Sequence, residues 1–211
     1  MKTFNFKRAV TLTAIAVCSF MAVGNAYAGN NATEKKKTKE LYIHFTYNKQ
    51  QGPGSNQYAV WIEDMKGNVV KTLFVTSFTT KGRARAGQQA DRGYHYRPTC
   101  VPTWVKHANA EAMSDTEIDG FTGATPKVER CEPRFVWDLT DENGKPLKEG
   151  TYKFFVEGTY YNNSIVLYEG VFNTKEVISI KKSEVQPTQE HANMIEGVGA
   201  EVRNKTKKHL I

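Results

Sequence analysis

"LYIHFTY", residues 41–47, sets Leu41, Ile43, Phe45 and Tyr47 on one side of an extended chain and Tyr42, His44 and Thr46 on the other. Side chains of a strand alternate between faces, so this spacing predicts a strand with one face in a core. The same period returns on both sides of Met65-Lys66-Gly67, where Gln57 to Asp64 and Asn68 to Thr76 read as a hairpin. Pro133 to Leu139 and Thr151 to Tyr161 flank "TDENGKPLKEG", residues 140–150, whose Asn-Gly pair and closing Gly150 predict a second hairpin. Ser164 to Phe172, Val177 to Lys181 and Ile195 to Arg203 complete about eight short strands. That count predicts an all-β chain arranged as a β-sandwich. Trp61, Trp137, Tyr152 and Phe154 fall within these runs and are expected in its core.

The N-terminus reads as an export signal over residues 1–28. Lys2, Lys7 and Arg8 precede an apolar run from Ala9 to Val23, and Ala26-Tyr27-Ala28 supplies the small-x-small pattern that predicts cleavage after Ala28. The run is shorter than the roughly 20 residues a membrane-crossing helix needs, so the mature protein is expected not to span the membrane and to reside in the periplasm. Cleavage removes three cations and no acid, lowering the formal charge from +7 to +4. Residues 29–39, with Lys35-Lys36-Lys37, read as a flexible basic linker, residues 40–203 as one domain and residues 204–211 as a tail. No basic stripe with interleaved aromatics is present, which argues against a nucleic-acid partner.

Alternation stops between the hairpins. Residues 79–131 form an inserted loop-helix-loop segment that begins with the basic, Gly-rich "TTKGRARAGQQADRG". "TWVKHANAEAMSD", residues 103–115, predicts a helix with Trp104, Val105, Ala108, Ala112 and Met113 on one side. Cys100 and Cys131 sit near the ends of this stretch, and in an oxidising compartment such a pair reads first as a disulfide closing a loop of about 30 residues. The competing reading joins them with His95 and His107 in a metal site, but the spacing fits no tight zinc pattern, and no metal is expected. No carboxylate pair or Ser-His arrangement supplies a readable catalytic geometry, so no catalytic residue is assigned and the protein is read as no enzyme.

Long connections within compact β domains are more often functional than idle. Here the segment ends in "DGFTGATPK", residues 119–127, a loop with more small and hydroxylated residues than a reversal of direction requires. Two hydroxyls beside residues with almost no side chain would let a large catalyst approach the backbone. The loop reads as an acceptor of chemistry.

Asp119-Gly120-Phe121-Thr122-Gly123-Ala124-Thr125 resembles the Asp-x-x-Ser/Thr-Gly-Ala-Thr signature of extracytoplasmic proteins that carry covalent FMN, such as subunits of sodium-pumping quinone reductases. The resemblance implies FMN joined through its phosphate to Thr125 by an exported flavin transferase that uses FAD and magnesium. Asp119, Thr122, Gly123 and Ala124 would be the recognition elements. Pro126 departs from the pattern and stiffens the exit from the loop. Trp104 and Tyr94-His95-Tyr96 are candidates to stack on the flavin ring, and Arg83 and Arg85 to pair with a phosphate.

A second resemblance covers more of the chain. "FVWDLTDENGKPLKEGTYKFFVEGTY", residues 135–160, is similar to the Trp-Asp hairpin of the immunoglobulin-like module in flagellar hook-cap proteins. With "YAVWIEDMKGNVVKTL" and the acceptor loop, residues 40–203 resemble a family of predicted periplasmic proteins of unknown function, whose members tend to accompany flavin transferases and membrane redox partners. Together these imply an immunoglobulin-like β-sandwich acting as a periplasmic electron carrier that meets a membrane-bound redox partner. The alternative expectation is a cofactor-free periplasmic structural or interaction module of the same fold.

Overall fold

The computed structural model describes residues 38–83, 90–161, 164–183 and 191–205. The expected signal peptide 1–28, linker residues 29–37, Arg85 and tail residues 206–211 lie outside them. The described residues belong to one compact unit, Lys36–Ile211.

Among the described residues, ten strands form two sheets: β1 (Lys39–Asn48), β2 (Asn56–Asp64), β3 (Val69–Thr76), β4 (Thr122–Gly123), β5 (Arg130–Cys131), β6 (Arg134–Trp137), β7 (Thr151–Tyr160), β8 (Ser164–Asn173), β9 (Val177–Ser183) and β10 (Ile195–Asn204). One sheet pairs β1 with β10 on one side and with β5 and β6 on the other. The second runs β4-β3-β2-β7-β8-β9. The eight expected strands are all present, and β4 and β5 are two-residue additions from the inserted segment. The architecture is a β-sandwich.

Alternation in β1 does what the sequence predicts. Leu41, Ile43, Phe45 and Tyr47 pack between the sheets against Tyr58, Val60 and Ile62 of β2, Phe154 and Val156 of β7, and Phe172 of β8. β2 behaves differently, because eight of its nine residues are buried. Ala59 and Trp61 point away from the first core into a second, made with Val75, Tyr94, Cys100, Val101, Trp104, Phe155 and Leu167. The inserted segment covers the outer face of the six-stranded sheet, so its central strands are apolar on both sides.

That cover consists of α1 (Ser77–Lys81), α2 (Gly93–Tyr96), α3 (Pro102–His107), a 3-10 turn (Ala110–Ala112) and α4 (Asp115–Asp119). The single helix expected over 103–115 is broken, because Asn109 adopts a left-handed conformation with φ 49°. Asparagine tolerates that region better than most residues, and the break lets Trp104 and Ala110 both reach the second core. α3 is anchored from below by Glu157 of β7, whose carboxylate accepts from the amides of Thr103 (3.1 Å) and Trp104 (3.0 Å). The Trp104 indole donates to Thr72 at 3.2 Å. Trp61 stacks on Phe155 at 4.9 Å and donates to Glu63, which also receives His107 Nδ1 at 2.6 Å.

Two expectations are corrected here. β6 and β7 do not form a hairpin: β6 pairs with β1 in one sheet and β7 with β2 and β8 in the other. The chain crosses between sheets after Leu139, at φ 60°, and the Asn-Gly signal makes only a small turn closed by a Thr140–Pro146 bridge. Nor do Cys100 and Cys131 form a disulfide. Cys100 is buried in the second core beneath the insert, while Cys131 packs on the first core beside Tyr47. The six-stranded sheet lies between the two cores, and a disulfide needs Cα atoms within about 7 Å.

Candidate acceptor loop and its groove

α4 delivers the acceptor loop. Ser114 and Glu117 form a reciprocal capping box at its start, and Asp119 at its end pairs with Lys81 of α1 at 2.7 Å. Both partners are more than half exposed, so the pair orients the loop more than it stabilises the fold. Thr122 and Gly123 then add β4 to β3 in parallel, opposite Val75 and Thr76. Gly123 has ordinary backbone geometry and is small for a different reason: an added Cβ would lie 2.1 Å from the Phe74 ring. The signature's glycine is thus a contact between this loop and the sandwich.

The two threonines are not equivalent. The Thr122 hydroxyl donates to the Ile118 carbonyl at 2.7 Å and lies 2.9 Å from the Thr80 hydroxyl, so it is engaged with protein. Thr125, half-buried, has no hydrogen-bond partner among the described residues. With Pro126 and Lys127 it lines a cavity of about 530 Å³, whose other walls include Tyr47, Lys49, Ser55, Phe78 and Arg83. Ala124 beside it is exposed.

A second cavity of about 350 Å³ shares Gly54, Ser55, Phe78 and Arg83 with the first and adds Pro53, Tyr96 and Arg97. Among the described residues, the combined lining holds Lys49, Arg83, Arg97 and Lys127 and no carboxylate. Lys49 is partly neutralised by Glu129 at 3.3 Å. Gly82 and Gly93 place these walls: Gly82 has φ +62° and its absent Cβ makes room for the Asp91 carbonyl, while a Cβ on Gly93 would lie 1.8 Å from the Phe78 carbonyl. The chain therefore leaves near Gly82 and returns at Gly93 with Arg83, Phe78, Tyr96 and Arg97 on one groove.

Other residues singled out in the sequence are committed elsewhere. Trp104 is 0 % exposed and Tyr94 5 %, both in the second core, so neither can stack on a ligand. His95 is clamped between Glu111 (2.9 Å) and Asp91 (2.7 Å), two carboxylates that hold its imidazole above the ordinary range. Tyr96 alone of that cluster is available, at 55 % exposed. Sequence reasoning missed Tyr47, Ser55, Phe78 and Arg97. Their signal is positional only, since three separate segments meet in the groove.

The Tyr47 hydroxyl is buried in the first core without a hydrogen-bond partner among the described residues. Burial pushes its phenol above the ordinary range, so it stays a neutral donor. The cations and the Phe78 and Tyr96 rings of this lining suit an anionic ligand with an aromatic body, as FMN has. The volumes fall in the range of about 300–1,000 Å³ typical of small-molecule sites.

The family model described as predicted periplasmic protein (DUF2271) matches residues 40–192. The chain belongs to that family. No curated protein and no solved structure matches it. The DUF2271 region spans both sheets from β1 to β9 together with the acceptor loop and the groove. As a member of this periplasmic family the protein works outside the cytoplasm. No helix among the described residues is long and apolar enough to cross a membrane.

Proposed function

We propose that this periplasmic protein is an electron carrier whose FMN is esterified through phosphate to Thr125. The observation that carries the reading is the contrast between its two loop hydroxyls. Thr122 is bonded inward to Ile118 and Thr80, whereas Thr125 is without a partner among the described residues and borders a cationic groove. A modifying enzyme would therefore meet one reactive alcohol. A flavin transferase supplies the reaction: the Thr125 oxygen displaces AMP from FAD, a new P–O bond forms as the pyrophosphate bond breaks, and the hydroxyl proton leaves to a base of that enzyme.

In this reading Asp119 and Gly123 hold the loop against Lys81 and Phe74, and Ala124 leaves the approach to Thr125 open. Lys127, Lys49 and Arg83 supply positive charge at the phosphate end. Bound there, FMN supplies one- and two-electron transfer, and the protein contributes tethering, shielding and charge. The sandwich, of the immunoglobulin-like kind the hook-cap resemblance implies, acts as a rigid support, and a membrane-bound redox protein is the natural partner.

Co-expression with a flavin transferase tests this. Wild type is expected to run as a fluorescent yellow band on a denaturing gel, and Thr125→Ala to run colourless while folding normally. A colourless wild type made beside an enzyme that labels its own substrate would return the protein to the alternative, a cofactor-free structural or interaction module.

A further inference from the structure

We propose that the cavity walled by Phe78, Tyr96 and Arg97 is the seat of the flavin ring, with Arg97 as its principal polar contact. The inference rests on the reading that Thr125 carries the phosphate, and it assigns a separate binding role to residues outside the acceptor signature.

Arg97 is built to act on a ligand. Its guanidinium lies 5.6 Å from the ring centres of both Phe78 and Tyr161, and its Nη1 donates to Ser55 Oγ at 2.7 Å. The side chain is thus held by stacking and one hydrogen bond, with no carboxylate partner among the described residues. Arginines in such places normally find an acid, and the remaining N–H donors suit carbonyl and ring-nitrogen acceptors on a planar edge. Arg83 lines the same cavity, again with no acid among the described residues of its walls.

The apolar part of the cavity matches a flat aromatic body. Phe78 forms part of the wall, and Tyr96, 55 % exposed, presents an accessible aromatic face there. Gly54, Ser55, Phe78 and Arg83 line both this cavity and the Thr125 cavity, so the two adjoin. An alternative occupant, inorganic phosphate alone, would use the cations but leave the aromatic wall without a role.

A cation beside the ring favours its reduced and more negative state, so Arg97 also raises the reduction potential of the bound flavin. Removing it lowers that potential. The effect distinguishes ligand contact from a merely structural role.

The test uses full-length mature protein made without a transferase, titrated with FMN and separately with riboflavin, and followed by flavin fluorescence. Wild type is expected to bind both, because the ring seat does not need the covalent bond. Arg97→Ala is expected to weaken both by about tenfold or more, the usual scale of a lost charged hydrogen bond. Arg97→Lys should weaken them less. Tyr96→Ser, at an exposed site that does not threaten folding, should weaken riboflavin and FMN alike. In transferase-labelled protein, Arg97→Ala should keep its label on Thr125 and show a lower midpoint potential than wild type.

Binding and potential unchanged in both Arg97→Ala and Tyr96→Ser would overturn the ring seat and leave the Thr125 reading standing. Displacement of FMN by inorganic phosphate with no riboflavin binding would overturn it in favour of an anion site. An unlabelled Thr125 in wild type would overturn the acceptor reading itself, and that result is read by mass, independently of the titrations.

Discussion

Glu157 should make the fold weaken as pH rises from mildly acid to neutral. Its carboxyl is fully buried beneath α3, and burial raises its pKa from the ordinary 4.5 to about 7, against the opposing pull of the Trp104 and Thr103 amides and of His107. The folded state therefore holds the proton more tightly than the unfolded chain. Below the unfolded pKa both states are protonated and the contribution is fully present; it is lost as pH climbs through the folded value. A change from 4.5 to about 7 corresponds to about 3 kcal/mol over that window. Other groups titrate over the same range, so the quantity to measure is a difference. Urea unfolding of wild type and Glu157→Gln at several pH values from 4.5 to 8 gives it, because the amide cannot ionise. The stability advantage of wild type over the variant should shrink by about 3 kcal/mol across the series. A difference that stays flat would refute the reasoning and mean that the two α3 amides compensate the buried charge.

Further outcomes follow from the same packing. Unreduced, denatured mature protein should titrate with two thiols, and native protein with far slower reaction at Cys100, whose buried thiol is pushed up to about 11; a thiol count of zero would restore the disulfide. Gly123→Ala should cost about 1–3 kcal/mol by forcing Phe74 aside, with much of the loss recovered in a Gly123→Ala, Phe74→Leu double variant. Trp104→Ala should cost about 3–5 kcal/mol, since the indole is fully buried and its partner Thr72 would be left unpaired. Thr125→Ala should change stability by no more than about 0.5 kcal/mol, because its hydroxyl has no partner among the described residues to lose. Thermal or urea denaturation checks all four variants.

Much of the sandwich was legible because its information is local. The period-two runs of β1, β3, β7 and β8 state which residues face a core, and β1 buries Leu41, Ile43, Phe45 and Tyr47 as its alternation requires. Pairing is not local in that way. "TDENGKPLKEG" carries genuine turn chemistry, and the turn forms at Thr140–Pro146, yet the chain leaves β6 through the left-handed Leu139 and crosses to the other sheet before β7. The cysteines failed for a related reason: nothing in their spacing tells which face of a sheet each will occupy.

The candidate acceptor loop was legible as an anomaly but not as a structure. Its small residues do lie together, with Ala124 exposed, but Gly123 is required by Phe74, which no local rule could indicate. Among the described residues the groove draws on 47–57, 78 and 83, 96–97 and 125–127, so its cationic character emerges only when the insert folds over the sheet. Tyr94 and Trp104, attractive as ring-stacking aromatics in sequence, are spent on the second core, and Tyr96 is left for the surface.

The central claim is settled most directly by the mass of the tryptic peptide spanning residues 107–127, taken from mature protein expressed with and without an active flavin transferase. The account predicts a gain of one FMN less one water, located by fragmentation on Thr125, in the first sample and none in the second. An unmodified peptide in both, beside a transferase that labels its own substrate in the same cells, would contradict it.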